Sequence, residues 1–544
     1  MFLVWLLKNV VYRLICGNVE ISVRDIIYDS RNDVEDCVFV CLKGFSCDGH
    51  DYAAEVMGRN ARAVVIQDDL LKEHRDALRE LAWNKGICLI SVSDTRQALS
   101  EMSRAFFHYP EKKLTMIGIT GTKGKTTSAG LLKSILDAAN IPAGLMGTLG
   151  IFTGKHHFDA MNTTPESYLV QKYLRMMVDD GCKAAIMEVS SQALMCGRVA
   201  GVFFDYGVLT NISPDHIGPG EHHSFEEYRY WKGRLFSQCH IGIANGNDDN
   251  VKEALAGCSC CVETFGVCED DVPCAQKRPC TWEAAALEAV LEPEPGTRFL
   301  VFCKGASHGC TPRAGAPRGC ESVGGAPCGC GRAPLFLSLP GAYNVCNALA
   351  PIAVARHMGV SWDAIRRGLA SVKVPGRCEV LARVRGGYFI LDYAHNGKAL
   401  ETILSTLRQY KPRRLICIFG CGGNRSRLRR TDMARAAAYG ADRLIITTDN
   451  PRYEPPLEII RDIESEILRL SKNDPALQKE NFYTIIEDRR EAIGFAINLM
   501  EPGDIVLLAG KGHETYQEIA GKKYPFDEHQ IVRELLSGIG AKSL

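Results

Sequence analysis

A repeated pattern of short apolar runs constrains this chain most. Each run ends in Gly, Asn, Asp or His and is followed by a helix-like stretch. Seven segments follow the pattern: residues 114–120, 183–190, 204–212, 388–392, 415–419, 443–448 and 504–509. Strands that alternate with helices predict an α/β fold built around mostly parallel sheets. Ligands bind such sheets at the carboxyl ends of the strands, where the polar residues of this chain cluster.

The length of 544 residues predicts more than one domain. Pro110 precedes a new strand, and Pro375 and Gly376 interrupt the chain before another α/β set. We therefore predict three α/β domains, over residues 1–108, 109–374 and 375–544.

The charges balance, with 64 Lys and Arg against 64 Asp and Glu. This balance favours small-molecule partners over nucleic acid or an anionic membrane. The apolar stretch from Met1 to Leu7 is interrupted by Lys8 and Arg13, well short of the roughly 20 residues that a membrane span needs. We expect a first helix that packs on its own domain, no membrane insertion and a cytoplasmic protein.

The 23 cysteines suggest reduced thiols in the cytosol, because the chain is large and shows no secretory signal. Eleven of them lie between Cys258 and Cys330. Residues 303–334 are rich in Gly, Pro, Ala and Cys, which predicts a loop-like insertion. Three interpretations stay open for this region: an idle insertion, redox-active thiols, or a zinc site. The zinc ligands would come from Cys258, Cys260, Cys261, Cys310, Cys320, Cys328 and Cys330.

A glycine-rich loop follows the strand at 114–120 and precedes a helix, which is the setting of a phosphate-binding loop. Its nucleotide-binding candidates are Gly121, Thr122, Lys123, Gly124, Lys125, Thr126 and Thr127. Backbone amides would surround the phosphates, Lys125 would offset their charge and the Thr126 hydroxyl would coordinate Mg²⁺. The spacing departs from the strict form of the motif, because Ile119 stands where a glycine is needed. A turn that only caps the helix is the alternative.

Further motifs along the chain, in order, are Asn162-Thr163-Thr164-Pro165, Glu188-Val189-Ser190-Ser191, Thr210-Asn211-Ile212-Ser213-Pro214-Asp215-His216, Pro375-Gly376-Arg377 and Asp392-Tyr393-Ala394-His395. With the glycine-rich loop, they resemble the Mur ligases over nearly the whole chain apart from the Cys-rich insertion. The resemblance implies an ATP-dependent ligase that forms an amide bond in peptidoglycan synthesis. It also implies domains for the UDP-linked precursor, for ATP and for the amino acid, in that order, and we expect a monomer.

Near the N-terminus, Asp29-Ser30-Arg31 and Asp48-Gly49-His50 resemble the uridine-binding domain of the family member that adds the third residue of the stem peptide. The resemblance implies UDP-N-acetylmuramoyl-L-alanyl-D-glutamate as substrate. The implied precursor-binding residues are Ser30, Asn162, Thr163, Thr164, Ser190 and Arg198.

The resemblance further implies an acyl-phosphate intermediate, which the amine of the incoming amino acid attacks. Both steps gather negative charge and call for cations. The implied catalytic residues are Lys125, Glu188, His216 and Lys232. Thr126 and Glu188 would bind a first Mg²⁺, and His216 a second. Lys232 aligns with the family lysine that CO₂ carbamylates to N6-carboxylysine, an anion that could hold the second Mg²⁺.

Four residues resemble the contacts to adenine, phosphate and ribose that lie across the boundary of the second and third domains. They are Asn344, Arg377, Asp392 and His395. This placement implies that the third domain closes over ATP.

Two segments resemble the amino-acid pocket, Asp449-Asn450-Pro451-Arg452 and Gly510-Lys511-Gly512-His513-Glu514. The implied amino-acid-binding residues are Arg425, Asp449, Asn450, Pro451, Arg452, Gly510 and Glu514. Diaminopimelate carries a side-chain carboxylate that lysine lacks, and a guanidinium pairs with a carboxylate through two parallel hydrogen bonds. Arg452 therefore favours meso-2,6-diaminopimelate.

Some residues depart from the family pattern. Arg425 lacks its usual acidic neighbours, and three further arginines follow it within six residues, at Arg427, Arg429 and Arg430. Asn396-Gly397 follow His395, and Gln192 and Cys196 differ beside the substrate. Alternatives therefore stay open: lysine or another diamino acid as substrate, a folylpolyglutamate-type ligase, or a non-catalytic nucleotide-binding regulator.

Overall fold

The computed structural model describes residues 1–44, 47–215, 217–218, 221–268, 280–291, 295–303, 332–478 and 480–538. Within these ranges the strands form three large sheets and one hairpin. The three sheets use consecutive stretches of the chain, and residues 108–109 and 374–375 fall between them.

The first sheet has the strand order β1-β5-β4-β3-β2. Its strands are parallel except β1, which pairs with β5 in the antiparallel direction. The strands are β1 (Tyr12–Cys16), β2 (Ile26–Ile27), β3 (Val38–Val40), β4 (Ala63–Gln67) and β5 (Cys88–Val92).

The second sheet has eleven described strands in the order β16-β15-β14-β13-β12-β11-β6-β10-β7-β8-β9. Its centre is parallel, from β14 to β7, and both edges are antiparallel. The strands are β6 (Thr115–Thr120), β7 (Ala143–Gly147), β8 (Gly150–Phe152), β9 (His157–Phe158), β10 (Ala184–Glu188), β11 (Phe204–Leu209), β12 (Cys239–Asn245), β13 (Cys261–Val267), β14 (Trp282–Val290), β15 (Gly296–Cys303) and β16 (Arg332–Leu337).

The third sheet has the order β17-β18-β22-β19-β20-β21 and is parallel apart from β17. A separate hairpin follows it. The strands are β17 (Glu379–Val384), β18 (Gly387–Asp392), β19 (Leu415–Phe419), β20 (Arg443–Ile446), β21 (Tyr483–Ile485) and β22 (Ile505–Ala509), with β23 (Tyr516–Ile519) and β24 (Lys522–Pro525) in the hairpin.

Helices connect the strands and cover the sheets. They are α1 (Leu3–Leu6), α2 (Ala53–Gly58), α3 (Lys72–Lys85), α4 (Thr95–Phe106), α5 (Lys125–Ala138), α6 (Ser167–Asp179), α7 (Ser191–Met195), α8 (Phe225–Gly233), α9 (Asp249–Ala254), α10 (Ala342–His357), α11 (Trp362–Ser371), α12 (Gly397–Arg408), α13 (Leu428–Gly440), α14 (Pro456–Asn473), α15 (Arg489–Leu499) and α16 (Glu528–Ser537).

The central sheet is buried on both faces, as parallel sheets usually are. Successive residues of β6 show the two sides. Ile117 packs in a core with α5, α10 and α11, and Met116 packs in the opposite core with α6 and Tyr228 of α8. With both faces covered, ligands can reach this sheet only at the strand ends.

The seven predicted strands all form, within a few residues of the predicted bounds. The predicted first helix is shorter than expected. It covers Leu3–Leu6 alone and buries Leu3 and Leu6, while Phe2 and Trp5 remain exposed.

The predicted insertion at 303–334 has wrong bounds. Cys303 ends β15, and β16 begins at Arg332. Pro334 is accommodated because β16 is an edge strand, where a residue without an N–H group is tolerated. Residues 304–331 lie outside the described residues.

The structure describes only some of the cysteines that were candidates for a zinc site. Cys310, Cys320, Cys328 and Cys330 lie outside the described residues. Among the residues that are described, no group of three or more His, Cys, Asp or Glu could hold a metal ion, and the cysteines form no disulfide. In the same part of the chain, no helix is long and apolar enough to cross a membrane.

A buried ion pair ties the last two helices to the third sheet. Arg489 begins α15 and Glu528 begins α16, and both side chains are 0% exposed. Arg489 Nε donates to Glu528 Oε1 at 2.8 Å, and Arg489 Nη2 donates to the carbonyl of Ala509 at the end of β22 at 2.9 Å. This hydrogen bond attaches the end of β22 to the start of α15.

We predict that Arg489→Met lowers the free energy of unfolding by about 3–5 kcal/mol, because it leaves Glu528 buried without a counter-charge. Adding Glu528→Leu should recover part of the loss, since the unpaired charge is then removed. Urea denaturation of the three proteins measures this, and a double variant no more stable than Arg489→Met would contradict it.

Candidate active site

The loop between β6 and α5 lies at the carboxyl edge of the central sheet. Gly121 and Gly124 have φ of 144° and 84°, conformations that side chains rarely adopt. A Cβ atom at Gly124 would lie 2.3 Å from Asn347 Oδ1 on α10. Both glycines are therefore required, and the free amides at the start of α5 provide an anion site.

Lys125 begins α5 and folds back over the loop. Its ammonium donates to the carbonyl oxygens of Gly121 at 2.8 Å and Thr122 at 3.2 Å. Burial lowers the pKa of Lys125, while the charge of Glu188 raises it and that of Arg377 lowers it. Two predicted residues from distant parts of the chain thus act electrostatically on Lys125.

Glu188 ends β10 and is fully buried. Its Oε2 accepts from the Thr126 hydroxyl at 2.9 Å, and its Oε1 accepts from the Thr148 amide at 2.9 Å. The Thr148 hydroxyl also donates to Oε2, at 3.3 Å. The structure therefore brings Thr126 and Glu188 together, and their oxygen atoms are the ligands that Mg²⁺ prefers.

Lys232 lies on α8 with 2% of its surface exposed. Its Nζ donates to the Gly121 carbonyl at 2.8 Å and lies 4.5 Å from the centre of the Tyr228 ring. Burial lowers the pKa of Lys232 well below its usual value, and the nearby charge of Lys125 lowers it further. The site thus favours the neutral amine. His216 lies outside the described residues.

The candidates around Thr164 also meet beside Glu188. The Thr164 hydroxyl donates to the Glu188 carbonyl at 2.8 Å and accepts from the Ser190 amide at 3.0 Å. Arg198 Nη1 donates to the Thr164 carbonyl at 3.1 Å. Thr163 contacts the Thr148 hydroxyl at 3.1 Å.

Two candidates lie apart from this cluster. Asn162 is exposed. Ser30 belongs to the first sheet's part of the chain, where its carbonyl accepts from Arg59.

Residues that the sequence analysis missed connect the first and second sheets. Glu166 directly follows the Asn162–Pro165 motif and lies between Arg96 at 3.4 Å and Arg198 at 3.5 Å. Tyr168 donates to Asp25 Oδ1 at 2.8 Å. These pairs fix the first part of the chain beside the Thr164 cluster.

The Asn344 side chain does not reach the glycine-rich loop. It donates to the Pro340 carbonyl at 2.8 Å, and Asn347, one turn later on α10, contacts Gly124 instead. The motif Asn344-Val345-Cys346-Asn347 contains both residues, but only the structure shows which side of the helix faces the loop.

Arg377, Asp392 and His395 lie around Tyr393. Arg377 stacks over the Tyr393 ring at 5.0 Å, and His395 Nδ1 contacts the Tyr393 carbonyl at 2.8 Å. The Oδ2 atom of Asp392 accepts a hydrogen bond from the Cys378 amide at 2.8 Å, which orients the carboxylate. Burial raises the pKa of Asp392. Burial also lowers the pKa of His395.

The predicted amino-acid pocket contains a buried cation, Lys511, which lies in the segment 510–514 but was not among the predicted binding residues. Lys511 is 0% exposed and lies 3.1 Å from Asn450 Oδ1, 3.3 Å from Glu514 Oε2 and 3.7 Å from Asp449 Oδ1. Asn450 Nδ2 donates to Glu514 Oε2 at 2.8 Å. Three predicted pocket residues therefore converge on Lys511.

The other pocket candidates surround this cluster. Gly510 has φ of 115°, and a Cβ atom there would lie 3.2 Å from Asp449 Oδ2. Pro451 packs so closely that a Cβ atom at Gly423 would lie 2.0 Å from its carbonyl. Arg425 is exposed on the neighbouring loop.

Arg452 lies at the rim of the pocket and adopts φ of 53°. Its Nη1 donates to the Gly423 carbonyl at 2.8 Å, and its Nε donates to Glu518 Oε2 at 3.0 Å. Glu518 is a second residue that the sequence analysis did not assign.

The residues around Tyr393 are in contact with the residues around Lys511. A Cβ atom at Gly376 would lie 2.3 Å from the His513 amide and 2.4 Å from the Gly512 carbonyl carbon. Tyr393 stacks on His513 at 5.0 Å and its hydroxyl lies 3.5 Å from Glu514 Oε1. The two groups of residues are therefore in direct contact.

Comparison with known proteins supports an assignment over most of the chain. Residues 119–294 match the Mur ligase middle domain, and residues 376–512 match the Mur ligase glutamate ligase domain. The chain is 35% identical to the UDP-N-acetylmuramoyl-L-alanyl-D-glutamate--2,6-diaminopimelate ligase of Clostridium perfringens (strain 13 / Type A), over 99% of this chain and 100% of that protein. It is also 35% identical to the protein of the same name from Caldanaerobacter subterraneus subsp. tengcongensis, over 99% of each.

A solved structure is similar as well. That structure, of a UDP-N-acetylmuramoyl-L-alanyl-D-glutamate--2,6-diaminopimelate ligase, has a TM-score of 0.64 and 26% sequence identity, with 96% of each chain covered.

We predict that Gly124→Ala weakens nucleotide binding at least about ten-fold, because the methyl group would collide with Asn347 and strain the loop by about 1–3 kcal/mol. Gly86→Ala is the matched control, since Gly86 also has positive φ, of 66°, but has open space around it. Calorimetric titration with ADP measures the effect. Equal affinities in both variants would contradict the role of the Gly124–Asn347 contact.

Proposed function

This chain belongs to the Mur ligase family, and we propose that it adds meso-2,6-diaminopimelate to UDP-N-acetylmuramoyl-L-alanyl-D-glutamate with ATP. The observation that carries the choice of amino acid is Arg452, which places a guanidinium at the rim of a pocket lined by Asp449, Asn450 and Glu514. A side chain that ends in both an amine and a carboxylate fits a pocket that offers both charges. The full-length relatives carry the same substrate in their names.

The three sheets support one substrate site in each of three domains. We assign the UDP-linked precursor to residues 1–108, ATP to residues 109–374 and the amino acid to residues 375–544. The Arg96–Glu166–Arg198 contacts support the first junction, because they place the first domain beside Thr164 and Glu188. The hydrogen bond that the Tyr410 hydroxyl donates to the Gly296 carbonyl, at 2.8 Å, supports the second, because it joins residues 375–544 to residues 109–374.

The first chemical step would transfer the γ-phosphoryl group of ATP to the precursor's terminal carboxylate. The amides at the start of α5 bind the phosphates, and Lys125 leaves the carbonyls of Gly121 and Thr122 to pair with them. Arg377 adds a second cation from the third domain. Such fixed charges stabilise the negative charge that gathers in the transition state.

The second step would be attack of the amino-acid amine on the acyl phosphate, with inorganic phosphate leaving. The Lys511 cluster holds Asn450 and Glu514 in place for the amino acid. Because Tyr393 lies between Arg377 and Glu514, the pocket and the phosphate side are adjacent. Holding both reactants in one site removes much of the entropic barrier to their reaction.

We assign a first Mg²⁺ to Thr126 and Glu188, whose oxygen atoms meet at 2.9 Å. A bound Mg²⁺ would neutralise phosphate charge. We further propose that Lys232 is carbamylated and, with His216, holds a second Mg²⁺. The reaction needs only ATP and small soluble precursors, so we propose that a monomer carries it out in the cytoplasm.

The test is product formation from ATP, the UDP-linked dipeptide and each candidate amino acid in turn. We expect ADP release that depends on diaminopimelate, with a tripeptide product of matching mass. Product with lysine alone would reject the substrate assignment, and no product with any amino acid would favour a regulatory nucleotide-binding protein.

We predict that Arg452→Ala raises the KM for diaminopimelate by about 10- to 150-fold, since a paired charge-assisted contact contributes roughly 1.5–3 kcal/mol. The KM for ATP should stay within about two-fold. Arg427→Ala is the control, because Arg427 is an exposed arginine that lies 4.0 Å from Asp462. An unchanged KM for diaminopimelate in Arg452→Ala would reject its role.

We predict that Lys232 takes up ¹³C-labelled bicarbonate at a pH where an ordinary lysine stays protonated. Burial lowers its pKa, so the neutral amine that reacts with CO₂ is populated at lower pH. A carbamate carbon signal should appear in the wild type and disappear in Lys232→Ala.

Lys232→Ala should also nearly abolish product formation, with partial rescue by small carboxylic acids. Full activity of this variant without rescue would eliminate the carbamate.

A further inference from the structure

The Arg452 guanidinium is held from one side by a single carboxylate. Its Nε donates to Glu518 Oε2 at 3.0 Å, and the two side chains are 22% and 24% exposed. Its Nη1 donates to the Gly423 carbonyl at 2.8 Å. Two of its three nitrogens are thus oriented, although arginine has one of the most mobile side chains.

Hydrogen bonds to the backbone of Glu518 hold this residue in position. The Arg452 amide donates to the Glu518 carbonyl at 3.0 Å, and the Glu518 amide donates to Asn450 Oδ1 at 2.9 Å. Arg452 also forms a parallel bridge with Ile519. Strand β23 is therefore joined to the 449–452 loop through both the amide and the carbonyl group of Glu518.

The hairpin that carries Glu518 has a well-defined turn. Ala520 and Gly521 have φ of 49° and 74°, the two positive values that a tight two-residue turn of the I′ type requires. Tyr453 packs against this turn, because its hydroxyl would lie 2.4 Å from a Cβ atom at Gly521. The carboxylate is therefore presented from a rigid element rather than from a free loop.

The opposite end of the guanidinium is left available. Within the described part of the chain, Arg452 Nη2 makes no hydrogen bond. Gly422 adds no side chain there, since a Cβ atom would lie 2.9 Å from Arg452 Nη1. A carboxylate can thus reach the Nη1 and Nη2 end of the fork while Glu518 keeps Nε.

We propose that Glu518 is the positioning residue that orients Arg452 and thereby sets the affinity of the pocket for an amino acid whose side chain ends in a carboxylate. The proposal rests on the proposed function. Orienting the guanidinium in advance removes the cost of ordering it when the substrate binds. Glu518 itself need not touch the substrate.

The experiment compares steady-state kinetics of the full-length wild type, Glu518→Ala and Glu518→Gln. Glu518→Ala should raise the KM for diaminopimelate by roughly five- to ten-fold, with kcat and the KM for ATP within about two-fold. Glu518→Gln should restore most of the affinity, because its amide oxygen can still accept from Arg452 Nε. A purely structural defect would instead change kcat and both KM values together.

Glu534→Ala is the matched control. Glu534 also pairs with an arginine of the third domain, Arg490, at 2.7 Å, but on the exposed surface of α16. Its kinetics should equal those of the wild type.

Two results would overturn the inference: an unchanged KM for diaminopimelate in Glu518→Ala, or a lower one, which would mean that the carboxylate only competes with the substrate for Arg452. Failure of the proposed function looks different, because the wild type itself would then give no product with diaminopimelate.

Discussion

The buried carboxylate of Glu188 joins the parts of the candidate active site. Its side chain accepts from Thr126 at the start of α5 and from Thr148 in the turn between β7 and β8, and its carbonyl accepts from Thr164. An unpaired carboxylate could not remain there, because burying a charge without partners is costly. The same hydrogen bonds that stabilise the charge therefore fix the positions of three loops around it.

The sequence predicted the elements that depend on local pattern. The run at 415–419 became β19 with the predicted bounds, and the glycine-rich loop lies between a strand and a helix as expected. These features follow from hydrophobic periodicity and from glycines that adopt positive φ, which neighbouring residues largely determine. The pairing of Thr126 with Glu188 was predicted from the resemblance to the Mur ligases, and the hydrogen bond between them agrees with it.

Other features could not be predicted because they depend on tertiary register. Asn344 and Asn347 are one turn apart on α10, and only the packing of α10 against α5 decides that Asn347 contacts Gly124. Lys511 is charged and would be expected at the surface, yet Asp449 and Asn450 from a distant loop and Glu514 three residues away give it polar partners in the interior. The first residues of edge strand β16, up to Pro334, were predicted to be a loop because Pro334 and the residues before it interrupt the apolar pattern.

Gly376 packs closely against Gly512 and His513 in the amino-acid pocket wall. Arg377 is the next residue, so the segment that carries a cation to the phosphate side also forms part of the amino-acid pocket wall. Any movement that withdraws Arg377 must disturb that wall, and a filled pocket must resist the movement. In the proposed reaction, this packing would couple nucleotide turnover to the presence of the acceptor amine and would limit the loss of the activated intermediate to water.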